Sequence, residues 1–122
     1  MPDTTLPSRH ILLVDDSEEY RYATCRSLEQ AGYKVTIASD YRQALPILEG
    51  TAPLDLMITD IVMPGQIHGF SLANMARMRR KNLRLIFVTA FDVNLDLAEG
   101  PVVLKSEGVE KLLQKVGELF LV

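Results

Sequence analysis

The chain has 122 residues, of which 48% are hydrophobic and 24% are charged, and these values are typical of one globular domain. A net charge of −3 provides no basic surface for nucleic acid or an anionic membrane, so neither is expected as a direct partner. The single cysteine, Cys25, excludes an internal disulfide and favours a reducing, cytoplasmic location.

Short apolar runs and helical repeats alternate along the first part of the chain. Residues 1–9 contain two prolines and little that could be buried, so we expect a flexible arm followed by one domain over residues 10–122. The apolar run His10–Val14 ends at two aspartates, which is typical of a strand buried on both faces. Ser17 is expected to cap a first helix, and residues 35–38 predict a second strand. The inward stripe of that first helix consists of Tyr20, Thr24, Leu28 and Ala31.

The middle of the chain repeats this alternation. Asp40 is expected to cap a second helix that ends before Gly50, and residues 54–59 predict a third strand that ends at Asp60. A third helix is expected over about residues 68–81. The apolar run Arg84–Thr89 then predicts a fourth strand.

The last part of the chain completes the pattern. Residues 90–101 are irregular, with Asp, Asn and Gly interrupting any helical repeat, and Val102–Leu104 predicts a short fifth strand. Apolar residues recur at helical spacing from Val109 to Phe120, which predicts the final helix. Five strands separated by helices or helix-sized connections indicate an open, doubly wound α/β fold with a parallel sheet covered on both faces.

Polar side chains follow the ends of the predicted strands, where such sheets bind ligands. They are Asp15, Asp16, Asp60, Thr89 and Lys105. Three carboxylates at one edge repel one another, and one lysine cannot neutralise them, so we predict a hard cation, Mg²⁺ in preference to Ca²⁺. An aspartate beside such a cation can attack phosphorus and form an acyl phosphate. Thr89 and Lys105 could then hold the transferred oxygens.

Four sequence markers stand together in this chain: Leu13-Val14-Asp15-Asp16, Asp60-Ile61-Val62-Met63-Pro64 with Gly69 beyond it, Thr89-Ala90, and Lys105. From His10 to about Phe120 the chain resembles the receiver domains of two-component response regulators, whose sheet is flavodoxin-like with strand order 2-1-3-4-5. The resemblance implies that Asp60 accepts a phosphoryl group from a histidine kinase or a histidine phosphotransfer protein.

The resemblance also assigns roles within the site. It implies that Mg²⁺ is held by Asp15, Asp16, Asp60 and the backbone carbonyl of Val62, and that Thr89 and Lys105 sense the phosphoryl group. It implies a phosphoacceptor signalling domain rather than an enzyme, with only self-catalysed phosphotransfer and slow autodephosphorylation. Decay should be slow because the flanking residues Val62 and Phe91 cannot orient a water molecule.

The chain departs from the family pattern at three points. The stretch between Thr89 and Lys105 is shorter than usual, so the fourth helix is expected to be shortened or lost. Val102 stands where the family usually has an aromatic switch residue, and Ser106 stands where it usually has proline. A cis bond before a non-proline residue costs about 2.5 to 4 kcal/mol, so we expect a trans Lys105-Ser106 bond, with the Ser106 hydroxyl capping the final helix.

Two other functions are compatible with the residues. The domain could signal by docking alone, without phosphorylation, although the acidic site argues against this. A small Mg²⁺-dependent phosphatase of the haloacid dehalogenase type would need a second aspartate two positions after the first, but Asp15 is followed by Asp16 and Ser17. The sequence leaves open the cognate kinase, the output and the oligomeric state. A free-standing receiver and one excised from a larger protein, such as a hybrid sensor kinase, both fit.

Overall fold

A five-stranded parallel sheet in the order β2-β1-β3-β4-β5 forms the centre of the protein. The computed structural model describes residues 8–63, 68–90 and 100–121. The strands are β1 His10–Val14, β2 Lys34–Ala38, β3 Leu56–Asp60, β4 Arg84–Thr89 and β5 Val102–Leu104. This arrangement confirms the predicted strand order. All the strands therefore end at the same edge of the sheet.

Four α-helices lie within the described part of the chain: α1 Glu18–Gln30, α2 Tyr41–Glu49, α3 Gly69–Arg79 and α4 Val109–Leu119. The predicted caps of the first two helices are confirmed, because Ser17 Oγ accepts a hydrogen bond from Tyr20 N at 3.2 Å and Asp40 Oδ1 accepts one from Gln43 N at 3.0 Å. None of these helices is long and apolar enough to cross a membrane.

Two expectations fall mainly outside the described residues. The shortened or lost fourth helix concerns residues 91–99, of which nothing is described. The flexible arm concerns residues 1–9, of which only Ser8 and Arg9 are described. Arg9 forms an ion pair with Asp55 at 3.7 Å, and its guanidinium lies 5.0 Å from the ring centre of Phe120.

The hydrophobic core consists of one layer on each face of the sheet. Along β1, Leu12 and Val14 pack with α2 and α3, whereas Ile11 and Leu13 pack with α1 and α4. Successive side chains of a strand point to opposite faces, so a strand with both faces covered has to be apolar throughout. The first polar residue after β1 is therefore placed at the edge of the sheet.

The beginning of α3 packs closely against the end of β3. Gly69 N donates a hydrogen bond to the Ile61 carbonyl at 2.9 Å. A methyl group added at Gly69 would overlap the carbonyl oxygen of Asp60 and would lie 2.8 Å from Ile61 Cα. Glycine is therefore required here by space, and this contact helps to hold the backbone of Asp60.

We predict that Gly69→Ala lowers the free energy of unfolding by about 1 to 3 kcal/mol, the usual cost of overpacking. Gly117→Ala is the matched control, because nothing lies within 4 Å of an added methyl group on α4. The control should be neutral or stabilising by up to about 1 kcal/mol, since alanine favours a helix over glycine. Urea denaturation measures both. A Gly69→Ala protein as stable as the unsubstituted chain would contradict the close packing of α3 on β3.

Candidate functional site

Three carboxylates meet at the edge where the strands end. Asp15 and Asp16 follow β1, and Asp60 is the last residue of β3. One carboxylate oxygen from each of the three lies within 4.8 Å of the others. Asp15 is completely buried and Asp60 is 5% exposed, whereas Asp16 is at the surface. The structure thus brings together the three aspartates that the strand ends predict.

Lys105 reaches this cluster from the end of β5. Its Nζ atom lies 2.8 Å from Asp15 Oδ2 and 3.0 Å from Asp60 Oδ2. Burial favours the neutral amine, but the two carboxylates outweigh it and leave the pKa of Lys105 above its ordinary value of 10.5. The ammonium group is therefore charged and bridges two buried carboxylates.

The backbone around Ser106 agrees with one expectation and corrects another. No cis peptide bond occurs among the described residues, so the predicted trans Lys105-Ser106 bond is confirmed. The prediction that Ser106 caps the final helix is wrong. Ser106 lies inside a 3₁₀ turn, Lys105–Glu107, and Gly108 with φ of +88° separates this turn from α4. The N-cap residue of α4 is Gly108, which has no side chain that could accept a capping hydrogen bond.

Asp15 has one oxygen that no hydrogen bond satisfies within the described structure. Asp15 Oδ1 accepts a hydrogen bond from Ser17 N at 2.9 Å. Asp15 Oδ2 is buried and has no hydrogen-bond partner among the described residues by geometry, although it lies in an ion pair 2.8 Å from Lys105 Nζ. A buried carboxylate oxygen without a hydrogen bond, beside two other carboxylates, fits a hard cation with oxygen ligands. The donor set is therefore compatible with Mg²⁺.

Asp60 is held by contacts to both of its carboxylate oxygens. Oδ1 accepts a hydrogen bond from Val62 N at 3.2 Å, and Oδ2 accepts one from Lys105 Nζ at 3.0 Å. Burial raises the pKa of Asp60 and the negative charge of Asp15 raises it further, and together they exceed the opposing effect of Lys105. Even beside the ammonium group of Lys105, ionised Asp60 therefore costs free energy in the folded protein.

The remaining predicted site residues occupy different surroundings. Thr89 is completely buried at the end of β4, next in the sheet to β3. Val62 is half-buried, and its predicted role as a carbonyl ligand of the metal stays a prediction. Phe91 lies outside the described residues. Val102, which stands at the usual position of the aromatic switch, is paired with Phe87 and packs against the core layer on the α2 and α3 face.

One contact at the site is absent from the sequence-based expectations. The ring centre of Tyr20 lies 4.4 Å from Lys105 Nζ. The helical repeat assigned Tyr20 only to the inward stripe of α1. The sequence did contain one sign of this contact. Tyr20 lies in the first turn of the helix that follows the two aspartates, and a helix capped at Ser17 keeps its first turn close to the end of β1.

We predict that Asp60→Asn stabilises the metal-free protein at neutral pH. The folded pKa of Asp60 lies above its ordinary value of 3.8, so the cost of ionising Asp60 is present above the folded pKa and disappears as the pH falls below the unfolded value. The gain should shrink in the same acidic range. Urea denaturation in chelator at several pH values measures it.

Asp55→Asn is the control for this prediction, because Asp55 pairs with Arg9 and accepts a hydrogen bond from His10 N at the start of β1. It should give no such gain. A destabilised Asp60→Asn protein at neutral pH would show that the lysine contact outweighs the cost of burial.

Comparison with known proteins agrees with this geometry. The model of the response regulator receiver domain family matches residues 11–117. The YrkP protein of Bacillus subtilis, an uncharacterised transcriptional regulatory protein, is 39% identical over 90 residues, which are 74% of this chain and 37% of that protein. The chain spans between 34% and 49% of the length of the first curated relatives that it matches.

Solved structures show the same fold. The response regulator TrrA of Thermotoga maritima, solved in complex with Mg²⁺-BeF, has a TM-score of 0.77 and 32% identity, covering 92% of this chain and 99% of its own. The receiver domain of the hybrid histidine kinase CckA has a TM-score of 0.77 and 29% identity, covering 89% and 96%. Since the family model covers most of the chain, this protein belongs to the response regulator receiver domains of two-component systems.

Proposed function

We propose that the chain is a phosphoacceptor in a two-component phosphorelay and that Asp60 takes the phosphoryl group from a phosphohistidine. The donor would be a histidine kinase or a histidine phosphotransfer protein, the partners with which receiver domains generally interact. The observation that carries the proposal is the Asp60 carboxylate at the end of the central strand, 3.0 Å from Lys105 Nζ and clustered with Asp15 and Asp16. We include in the proposal a cytoplasmic location, which the lone thiol of Cys25 favours.

The residues of the chain divide the work of the transfer. An Asp60 oxygen attacks phosphorus, the phosphorus–nitrogen bond of the donor breaks, and its electron pair returns to the donor imidazole. Lys105 compensates the negative charge on the phosphoryl oxygens, and the Thr89 hydroxyl donates a hydrogen bond to one of them. Val62 N holds the second oxygen of Asp60, so the carboxylate keeps one orientation during attack.

In this proposal Asp15, Asp16, Asp60 and the carbonyl of Val62 hold Mg²⁺. Bound Mg²⁺ would offset the repulsion between the carboxylates and the incoming phosphoryl oxygens. The buried Asp15 Oδ2, which accepts no hydrogen bond from the described residues, supports this assignment. Ser17 N fixes Asp15 through its other oxygen, so Oδ2 keeps its direction toward the cluster.

A docking module that is not phosphorylated would not use the buried carboxylates of Asp15 and Asp60 in any reaction. Such a module gains nothing from keeping Asp60 charged in a position where burial raises its pKa. The Mg²⁺-dependent phosphatase would need a second aspartate two positions after the nucleophile, and Val62 stands two positions after Asp60. Phosphorylation of the isolated chain therefore separates these functions.

We predict that incubation with a small phosphodonor and Mg²⁺ adds one phosphoryl group to the intact protein, read as a mass gain. Asp60→Asn should abolish the gain, because an amide oxygen is a poor nucleophile. Asp55→Asn should be phosphorylated normally, because Asp55 directly precedes β3 and so lies at the end of the strand opposite Asp60. An equal and equally stable mass gain on Asp60→Asn would place the acceptor elsewhere, and no gain on the unsubstituted chain would favour the docking module.

We predict that Mg²⁺ raises the melting temperature of the protein, because a ligand that binds only the folded state stabilises it. Asp16→Asn should lose most of this effect, since a surface carboxylate at the cluster supplies charge for the cation. Asp16 is exposed, so the metal-free melting temperature of Asp16→Asn should stay near that of the unsubstituted chain. An unchanged Mg²⁺ titration in Asp16→Asn would remove this residue from the ligand set.

A further inference from the structure

Tyr20 forms the side of the lysine site that faces α1. Its ring centre lies 4.4 Å from Lys105 Nζ, well within the range of a cation–π contact. The ring is half-buried and packs against the core layer on the α1 and α4 face. Tyr20 N donates to Ser17 Oγ, so the cap of α1 also fixes the position of the residue that bears the ring.

Among the residues that the structure describes, the ammonium group of Lys105 contacts the carboxylates of Asp15 and Asp60 and the ring of Tyr20. A lysine side chain is flexible, and its ammonium group can contact a carboxylate from many directions. The two ion pairs alone therefore do not fix the position of the ammonium group. The lysine side chain is only 18% exposed, which strengthens a cation–π contact relative to one in water. The ring therefore limits the positions that the ammonium group can take.

Open space beside the ring makes this restriction necessary. A cavity of about 370 Å³ is lined by Ser17, Glu19, Tyr20, Ala23 and Lys105. Without the ring, Lys105 would have room to turn toward α1 and Glu19. The 3₁₀ turn at Lys105 adds a restraint on the backbone alone, through the hydrogen bond from Gly108 N to the Lys105 carbonyl at 3.2 Å.

We propose that Tyr20 is a positioning residue that directs the Lys105 ammonium group to Asp60 through a cation–π contact. The contact belongs to the folded chain whether or not Asp60 is phosphorylated. Its consequence for phosphotransfer rests on the function proposed above. Tyr20 acts through Lys105 and needs no contact with the phosphoryl group.

A double-mutant cycle in metal-free buffer tests the contact without any phosphorylation. The cycle combines Tyr20→Leu with Lys105→Met, and urea denaturation gives the coupling between them. We expect a coupling of about twofold to thirtyfold in the unfolding equilibrium constant, the range of cation–π contacts. Tyr20→Phe keeps the ring and should keep the coupling. Zero coupling in the cycle overturns the inference.

A spectroscopic measurement on the unsubstituted chain needs no variant to fold. Protons above the face of an aromatic ring resonate upfield, so the ε-methylene protons of Lys105 should be shifted upfield of those of the other lysines. Tyr20→Phe should keep this shift. Ordinary shifts for these protons would mean that the ring does not lie over the lysine end, and the inference would fail.

Phosphorylation kinetics test the consequence. At saturating Mg²⁺, Tyr20→Leu should lower the maximal rate with a small phosphodonor about twofold to thirtyfold and leave the half-saturating Mg²⁺ concentration unchanged. Tyr20→Phe keeps the ring and should have the rate of the unsubstituted chain. Tyr22→Leu is the control, because Tyr22 lies on the same helix and is 56% exposed, and it should not change the rate. If Tyr20→Phe is as slow as Tyr20→Leu, or Tyr20→Leu is as fast as the unsubstituted chain, Tyr20 does not position Lys105.

The two kinds of experiment fail separately. If the unsubstituted chain is not phosphorylated, the proposed function is wrong, and the cycle and the proton shifts still decide whether Tyr20 holds Lys105. If phosphorylation proceeds on Asp60 but the coupling is absent, the proposed function stands and the inference about Tyr20 is wrong.

Discussion

The ion pairs of Lys105 with Asp15 and Asp60 are the interaction on which the rest of the site depends. Two carboxylates that are almost completely buried would repel each other strongly. One ammonium group within 3.0 Å of both makes the arrangement tolerable without removing its cost, as the raised pKa of Asp60 shows. The site therefore keeps an excess of negative charge, which a bound cation could offset.

The parallel sheet makes this arrangement possible. The apolar strands β1 and β3 are paired in parallel, with Val14 opposite Thr59. The residues that follow Val14 and Thr59 are therefore brought together at the edge of the sheet. Local contacts then set the direction of each carboxylate: Ser17 N holds Asp15, and Val62 N holds Asp60. The close approach of Gly69 to the Asp60 carbonyl adds a restraint on the backbone of Asp60. One oxygen of Asp15 and one of Asp60 are thus held by backbone N–H groups, and the other oxygen of each faces Lys105.

The lysine is held differently. Lys105 reaches the cluster from β5, which has only three residues, and the 3₁₀ turn that follows contains Ser106 instead of the proline usual in the family. The trans peptide bond does not prevent the ammonium group from reaching both carboxylates, because the long side chain absorbs the difference. The same length makes the ammonium group hard to direct, and the ring of Tyr20 lies where it can provide that direction.

Most of the fold and the three-carboxylate cluster could be predicted from local patterns, because runs such as His10–Val14 and Arg84–Thr89 can be buried only as inner strands, whose ends must meet at one edge. The predicted third strand, 54–59, was shifted: Asp55 instead binds His10 N, and Asp60 pairs with Val88 inside the sheet. The cap expected of Ser106 and the contact of Tyr20 with Lys105 were decided by tertiary structure. Both depend on the path of the chain after β5, beside the first turn of α1. Packing between elements that are distant in the chain sets this path, and the hydrophobic periodicity of the sequence does not encode it.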